Sequence, residues 1–394
     1  MSKEVFIVSV ARTPVGSLGG SLSALSAVEL GTIAVKAALE RSAVPAEKVT
    51  EVFMGNVLSA NTGQAPTTQV SLAAGLPATV ACTTVNKVCA SGMKSVIFAA
   101  QSILLGDNQV VVAGGMESMS NAPHYLPAMR NGQKYGESKV LDAIVRDGLQ
   151  DPYNGEMMGN CGELCAAEYN ISKDAQDEYA WASYERARKA AANGVFDAEI
   201  VPVTIQVPKK AAIVVSKDEE VQNARVTDLA GVKSARAVFK TTVSAVNASK
   251  INDGAAALLL ADAETVKALG LKPLAKILAY ADANQTPAQF TTTPALAIPK
   301  ALAKAGLNLS QVDAFEINEA FSVVALANMQ ILNIAHDKIN ILGGAVAMGH
   351  PIGVSGARII ITLITALQQI KGKIGVAAIC NGGGGASAVV IELC

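Results

Sequence analysis

Short apolar runs alternate along this chain with longer stretches whose apolar residues recur every three to four positions. The runs EVFIVSVA (4–11), EVFMGNV (51–57), QVVVAGG (109–115), AAALLLAD (255–262), LAKILAYAD (274–282), DAFEINEA (313–320), INILGGA (339–345) and GVAAICNGG (375–383) predict strands. The stretches SAVELGTIAVKAALERS (26–42), SGMKSVIFAAQSILLG (91–106), TPALAIPKALAKAG (293–306), AFSVVALANMQIL (320–332) and SGARIIITLITALQQI (355–370) predict helices. Alternating strands and helices predict an α/β fold with parallel sheets covered on both faces.

The two ends of the chain read as versions of one unit. CASGMKSVIFAAQSILLGDNQVVVAGG can be laid on GVSGARIIITLITALQQIKGKIGVAAICNGG, with Ser91-Gly92 on Ser355-Gly356. Each has a small-residue turn, a long apolar helix, a polar turn and a buried strand ending in glycines. A duplicated α/β half explains this; chance likeness of two α/β units is the alternative. Residues 120–247 are richer in Asp, Glu, Lys, Tyr and Asn, and predict helices at 161–170 and 173–193. They read as one long insertion in the duplicated core. Within 208–250, eight Lys or Arg stand against four acids, a local charge of +4. Such a stretch either binds an anionic ligand or is a solvated face.

Composition adds an expectation of assembly. Of 394 residues, 51% are hydrophobic and only 16% charged, against about 25% charged on average. A surface so poor in charge predicts a large core plus subunit interfaces, hence an oligomer. The net charge of −1 gives nucleic acid or an anionic membrane nothing to hold. No apolar run free of charge and Gly/Pro reaches the ~20 residues of a membrane span. MSKEVFIVSVARTP has no signal-peptide h-region, and VIELC is not a peroxisomal tripeptide, which predicts a cytoplasmic chain. The six cysteines are scattered, so no disulfide framework is expected. Cys161 and Cys165 form C-x3-C without a second ligand pair at zinc spacing, which favours two core thiols on one helix face.

Four places carry candidate chemistry. Cys89, in VNKVCASGMKS, stands at a predicted helix start, where free N–H groups favour a thiolate; a buried core thiol is the other reading. Of three histidines, His350 lies among Gly343, Gly344, Gly349 and Gly353 in GGAVAMGHPIGVSG, a setting that suits close backbone approach rather than packing. Cys380 precedes Asn381 and Gly382 to Gly385, whose N–H groups can form a nest for a developing negative oxygen. Asn318 and Glu319 end a predicted strand, where an ordinary helix cap is the simpler reading. Two thiols, one histidine and an Asn at corresponding loops suggest carbon–carbon chemistry on a thioester. One thiol holds an acyl group, the other removes a proton from carbon, and the nest holds the enolate oxygen.

NKVCASGMK, GGMESMSNAP, NASKINDGAAA, NEAF, GGAVAMGHPIGVSGAR and CNGGGGASA together, in this order and across the whole chain, resemble the thiolase family, on the side of the cytosolic acetoacetyl-CoA thiolases of eukaryotes. The resemblance implies a five-layer αβαβα fold of two βαβαβαββ halves with an inserted loop domain that binds coenzyme A. The boundaries it implies are 1–119 plus 248–270, then 120–247, then 271–394. It implies that Cys89 is acetylated, that His350 activates it, and that Cys380 takes the α-proton of a second acetyl-CoA. Asn318, through a water, helps His350 bind the thioester oxygen, and the N–H groups of Cys89 and Gly382 form the other oxyanion hole. The implied reaction joins two acetyl-CoA into acetoacetyl-CoA and CoA, with thiolysis as its reverse and ping-pong kinetics. It needs no metal and no redox cofactor.

The resemblance also places Ser249, Arg225, Tyr184 and Met157 near coenzyme A. It matches Tyr184, Ala245, Val246, Ala248 and Val346 to the potassium site of mitochondrial relatives, and implies a homotetramer and a place in the mevalonate and sterol route. Two departures stand out. Met157 replaces the histidine of a common His-Met-Gly, and AVFKTTVSAVNAS is shorter than the usual run. The alternatives are a 3-ketoacyl-CoA thiolase of broader chain length and a non-catalytic acyl-CoA-binding protein on the same scaffold.

Overall fold

The computed structural model describes residues 4–222 and 226–394. Its main elements are β1 (Val5–Arg12), α1 (Ala27–Ser42), β2 (Glu51–Gly55), α2 (Pro66–Ala73), β3 (Ala81–Val85), α3 (Ser91–Leu105), β4 (Val110–Ser118), α4 (Met158–Glu168), α5 (Lys173–Ala192), β5 (Asn252–Asp262), β6 (Ala275–Asn284), α6 (Pro294–Ala305), β7 (Ala314–Ile317), α7 (Ser322–Leu332), α8 (Ala345–Met348), α9 (Ser355–Ile370), β8 (Ile374–Asn381) and β9 (Gly385–Leu393).

The strands run in the order β7-β8-β9-β6-β1-β5-β4-β2-β3. The first half contributes β3-β2-β4-β5-β1, and the second contributes β7-β8-β9-β6 plus a parallel bridge from Ile339 to Phe315. In each half the strands farthest from the seam pair in parallel, and those nearest it pair antiparallel. The sheets are therefore mixed, not purely parallel. The sequence pattern hid this because antiparallel strands covered on both faces read as continuously apolar, as parallel ones do. The halves join where Val5, Phe6 and Ile7 pair antiparallel with Ile277, Lys276 and Ala275. The duplication extends to an irregularity: β1 slips register between Ile7 and Ser9, and β6 slips between Ile277 and Ala279.

Three apolar layers hold five structural layers together. One cluster lies between the sheets and takes in Met93, Val96 and Ile97 of α3 with Ile360, Leu363 and Ile364 of α9. A second lies under α1, and a third under α6 and α7. Residues Val88–Leu105 are long and apolar enough to pass for a membrane span by composition, yet α3 sits in this central layer. The helix ends follow local chemistry. Ser26 and Glu29 form a capping box at the start of α1, and Gly106 and Gly306 close α3 and α6 in the left-handed region.

The equivalent helices α3 and α9 meet at their first turns. A Cβ built on Gly356 would lie 2.4 Å from the Met93 amide nitrogen, and one on Gly92 would lie 2.9 Å from that of Ala357. The loops that precede both helices are thereby brought to one place. INILGGA, read as a strand, contributes only the Ile339 bridge and then turns into α8, since Gly343 (φ 82°) breaks the extended run. Strands β3 and β9 were absent from the reading, because ACTTV and GASAVVIEL carry small and polar residues among their apolar ones.

Candidate active site

The turn before α3 is bent at Val88, whose φ of 48° is an outlier for a β-branched residue and costs about 1–3 kcal/mol. Ser91 holds the bend: its Oγ accepts from the Lys87 N–H (2.8 Å) and donates to the Val88 carbonyl (2.6 Å). Cys89 follows, one residue ahead of Ala90, which caps α3. It thus precedes the helix instead of lying in its first turn. The thiol is partly exposed. Removal from water pushes its pKa up to about 11, against the pull of the Gly382 and Cys89 N–H groups, which donate toward it.

The turn before α9 carries the histidine. Gly349 closes α8 with φ 102°, and a Cβ there would lie 2.4 Å from Asn252 Oδ1. That same oxygen accepts the His350 N–H at 2.9 Å, so only glycine suits this position. His350 Nδ1 lies 2.6 Å from Ser355 Oγ. The Ser355 hydroxyl also reaches the Pro351 carbonyl, which can only accept, 3.1 Å away. When that hydroxyl gives its one hydrogen to the carbonyl, its oxygen accepts from Nδ1–H and Nε2 is left as a bare lone pair. Nε2 has no protein partner among the described residues. Burial, then the charge of Arg358, lowers the imidazole pKa to about 4, so the ring is neutral at pH 7. Glu117 pins the loop further on: it accepts from the N–H groups of Gly353 (2.8 Å), Val57 (3.0 Å) and Leu58 (3.1 Å) and from Asn56 Nδ2 (2.8 Å).

The second cysteine ends β8. Cys380 is fully buried. Burial, then repulsion from Cys89, pushes its thiol well above the ordinary range. The chain then turns through Gly383 and Gly384, both at φ 86°. A Cβ on Gly384 would lie 2.2 Å from the Gln285 carbonyl.

Cys89, His350 and Gly382 line one cavity of about 310 Å³, walled by Met119, Leu149, Met157, Met158, Phe239, Phe290 and Phe321. Ser249, Ala245, Ala248 and Lys250 also line it. Asn318, two residues before Ala320 of the wall, is buried, and neither its amide oxygen nor its nitrogen has a protein partner among the described residues. Arg225 lies outside the described residues. Tyr184, on α5, is buried and is not among the cavity-lining residues. Its hydroxyl donates to the Val246 carbonyl (3.1 Å) and accepts from the Lys250 ammonium, which also donates to the Val346 carbonyl. Three of the five groups expected around potassium are thus linked in one network, and two of them, Tyr184 and Val346, hold an ammonium.

Glu319, read as a helix cap, instead accepts from Tyr179 Oη (2.9 Å), Ser183 Oγ (2.8 Å), Asn340 Nδ2 (3.0 Å) and the Val346 N–H (3.0 Å). It ties α5 to the segment that leads to His350. Cys161 and Cys165 are buried on α4; among the described residues no three His, Cys, Asp or Glu side chains gather to hold a metal ion. Sequence reasoning passed over Asn252, Ser355, Glu117 and Lys250 as functional residues. All four stand inside motifs quoted above, but their contacts span distances in sequence that a motif does not reveal.

The arrangement can do specific chemistry. A neutral thiol, a neutral imidazole with a free lone pair and the Gly382 turn line one apolar cavity, and a second thiol lies buried behind that turn, two residues before Gly382. That set suits acyl transfer to sulfur followed by proton abstraction from carbon.

Comparison with known proteins bears on this geometry. The thiolase N-terminal domain model matches residues 5–264, and the thiolase C-terminal domain model matches 271–393. An acetyl-CoA acetyltransferase of Schizosaccharomyces pombe is 57% identical over 395 residues, covering 100% of this chain and 99% of that one. A cytosolic acetyl-CoA acetyltransferase, ERG10, of Gibberella zeae is 55% identical over 391 residues, with 98% of each chain covered. Among solved structures, the Acat5 thiolase of Ascaris suum in complex with coenzyme A superposes with a TM-score of 0.93 at 43% identity, covering 100% of both chains.

Proposed function

This chain belongs to the thiolase family and catalyses acetyl-CoA C-acetyltransfer, and we propose that Cys89, His350 and Cys380 divide that reaction between them. Whole-chain identity above 50% to acetyl-CoA acetyltransferases supports the activity. The observation that carries the roles is the pairing of a neutral His350 with a thiol in one cavity.

His350 Nε2 takes the Cys89 proton as sulfur attacks the carbonyl of acetyl-CoA. The C–S bond to CoA breaks, the proton goes to the departing CoA sulfur, and an S-acetyl thioester remains on Cys89. Cys380, a neutral thiol at rest, gives its proton to His350 and, as thiolate, takes a methyl proton from a second acetyl-CoA. The resulting carbanion attacks the acetyl carbon, the bond to Cys89 breaks, the Cys89 thiolate takes the proton held by His350, and acetoacetyl-CoA is formed. Thiolysis runs these steps backwards. The N–H groups of Cys89 and Gly382, already directed at the sulfur, bind the oxygen that becomes negative in acyl transfer. Asn318, with an unpartnered amide, holds a water that joins His350 in binding the thioester oxygen of the second substrate. No metal or redox group takes part.

Coenzyme A runs past Ser249 and Met157, both on the cavity wall. The halves are 1–119 with 248–270, and 271–394, and the loop domain is 120–247; the family models, divided between 264 and 271, support the second boundary. The protein works as a homotetramer in the cytoplasm and supplies acetoacetyl-CoA to the mevalonate and sterol route. The cytosolic relative supports the compartment.

The test is intact mass after mixing with acetyl-CoA. One acetyl group appears on the wild type and none on Cys89→Ala. Absence of any adduct on the wild type under trapping conditions removes Cys89 from this role.

A further inference from the structure

Lys250 lines the cavity wall beside Ser249, while the two partners of its ammonium do not line it. Its ammonium donates to the Tyr184 hydroxyl and the Val346 carbonyl, and lies 4.7 Å from the centre of the Tyr184 ring. Tyr184 passes the contact on to the Val246 carbonyl. Three separate segments meet on this one charge: α5 from the insertion, residues 245–250, and α8, whose Val346 stands four residues before His350.

Two carboxylates, those of Glu220 and Glu319, favour the charged amine, while burial opposes it and brings the pKa to about 8. Arg188 faces Tyr184 from α5, with its guanidinium 5.7 Å from the ring centre. A neutral hydroxyl, a carbonyl, an aromatic face and nearby carboxylates form the surroundings of a monovalent cation, and here the cation is covalently attached.

We propose that Lys250 is a positioning residue whose ammonium acts as a tethered internal cation, holding the His350 segment against the insertion so that the enzyme needs no added monovalent ion. A tethered charge has no translational freedom to lose on binding and is present at every salt composition. The side chain reaches the acyl-transfer machinery only through Val346 and Tyr184, and the proposal rests on the acyl-transfer reading above.

The test compares thiolysis of acetoacetyl-CoA by the full-length protein in potassium chloride and in tetramethylammonium chloride at equal ionic strength. The wild type runs at the same rate in both. Lys250→Met keeps the apolar stem and removes the charge; its kcat/KM falls roughly tenfold or more in tetramethylammonium and recovers when potassium or methylammonium is added. Recovery by a free cation is something a packing defect does not give. Activation of the wild type by potassium overturns the proposal, as does a fully active Lys250→Met in tetramethylammonium or one that no cation restores. If Lys250→Met fails to fold, the wild-type comparison still decides, and Tyr184→Phe, which keeps the ring, gives a lower kcat/KM that potassium does not repair. Acetylation of Cys89 is followed by mass in parallel. An unacetylated wild type refutes the acyl-transfer reading, whereas an acetylated but potassium-activated wild type refutes only this proposal.

Discussion

Replacing Ser355 by Ala removes one oxygen that makes two contacts, 2.6 Å to His350 Nδ1 and 3.1 Å to the Pro351 carbonyl. Both Ser355 and His350 are buried, so no water takes over freely. The Nδ1–H is left as an unpaired buried donor, at a cost of about 1–3 kcal/mol. The ring escapes that cost by moving its hydrogen to Nε2, and in that tautomer it cannot accept the Cys89 proton. Either way the acylation barrier rises by up to the same amount, about 5- to 150-fold in rate. The assay is the time course of Cys89 acetylation by acetyl-CoA, read by intact mass at 25 °C and neutral pH, on protein whose melting curve shows it folded. A drop in that range with little change in acetyl-CoA affinity is the expected result. Acetylation within about twofold of the wild-type rate, with Ser355→Ala well folded, would show that the hydroxyl does not set the tautomer, and the assignment of Nε2 as base would lose its support.

Two further outcomes follow from named contacts. Cys380→Ser still takes acetyl from acetyl-CoA onto Cys89, but exchange of the acetyl-CoA methyl protons into deuterated water and acetoacetyl-CoA turnover fall together by about 10²–10⁴-fold; exchange at the wild-type rate removes Cys380 as the carbon base. Glu163 accepts from the N–H groups of Lys240 (3.1 Å), Thr241 (3.0 Å), Thr242 (2.9 Å) and Val243 (2.9 Å). Although burial pushes its pKa up, these donors outweigh it and bring the carboxyl down to about 2. A carboxyl depressed on folding stabilises above its unfolded pKa near 4.5 and loses that contribution as pH falls through the folded value. Glu163→Gln is therefore less resistant to urea than the wild type at pH 7, and the gap narrows between about pH 4.5 and 2; a gap independent of pH contradicts the reasoning.

The helices and most strands were legible because each shows its pattern within its own residues. SGARIIITLITALQQI reads as α9 over Ser355–Ile370 with no displaced boundary, since a long apolar helix depends little on its neighbours. The duplication was legible too, because two copies of one sequence pattern must fold alike. Cys89, His350 and Cys380 stood out as reactive side chains beside glycines, where packing offers no reason for them.

Strand direction, the base's tautomer and the occupant of the cation position were not legible, since each depends on residues far apart in sequence. The mixed sheets follow from pairings such as β1 with β5. The tautomer of His350 is set by contacts to Ser355 and, through it, the Pro351 carbonyl. Lys250 read as one more charge in a basic stretch until folding set it against Tyr184 and Val346, 66 and 96 residues away. Local periodicity determines which segments form which elements, because the apolar face of each must be buried. Only folding in three dimensions brings together the loops before α3 and α9, and with them the thiol, the imidazole and the charges that set their protonation.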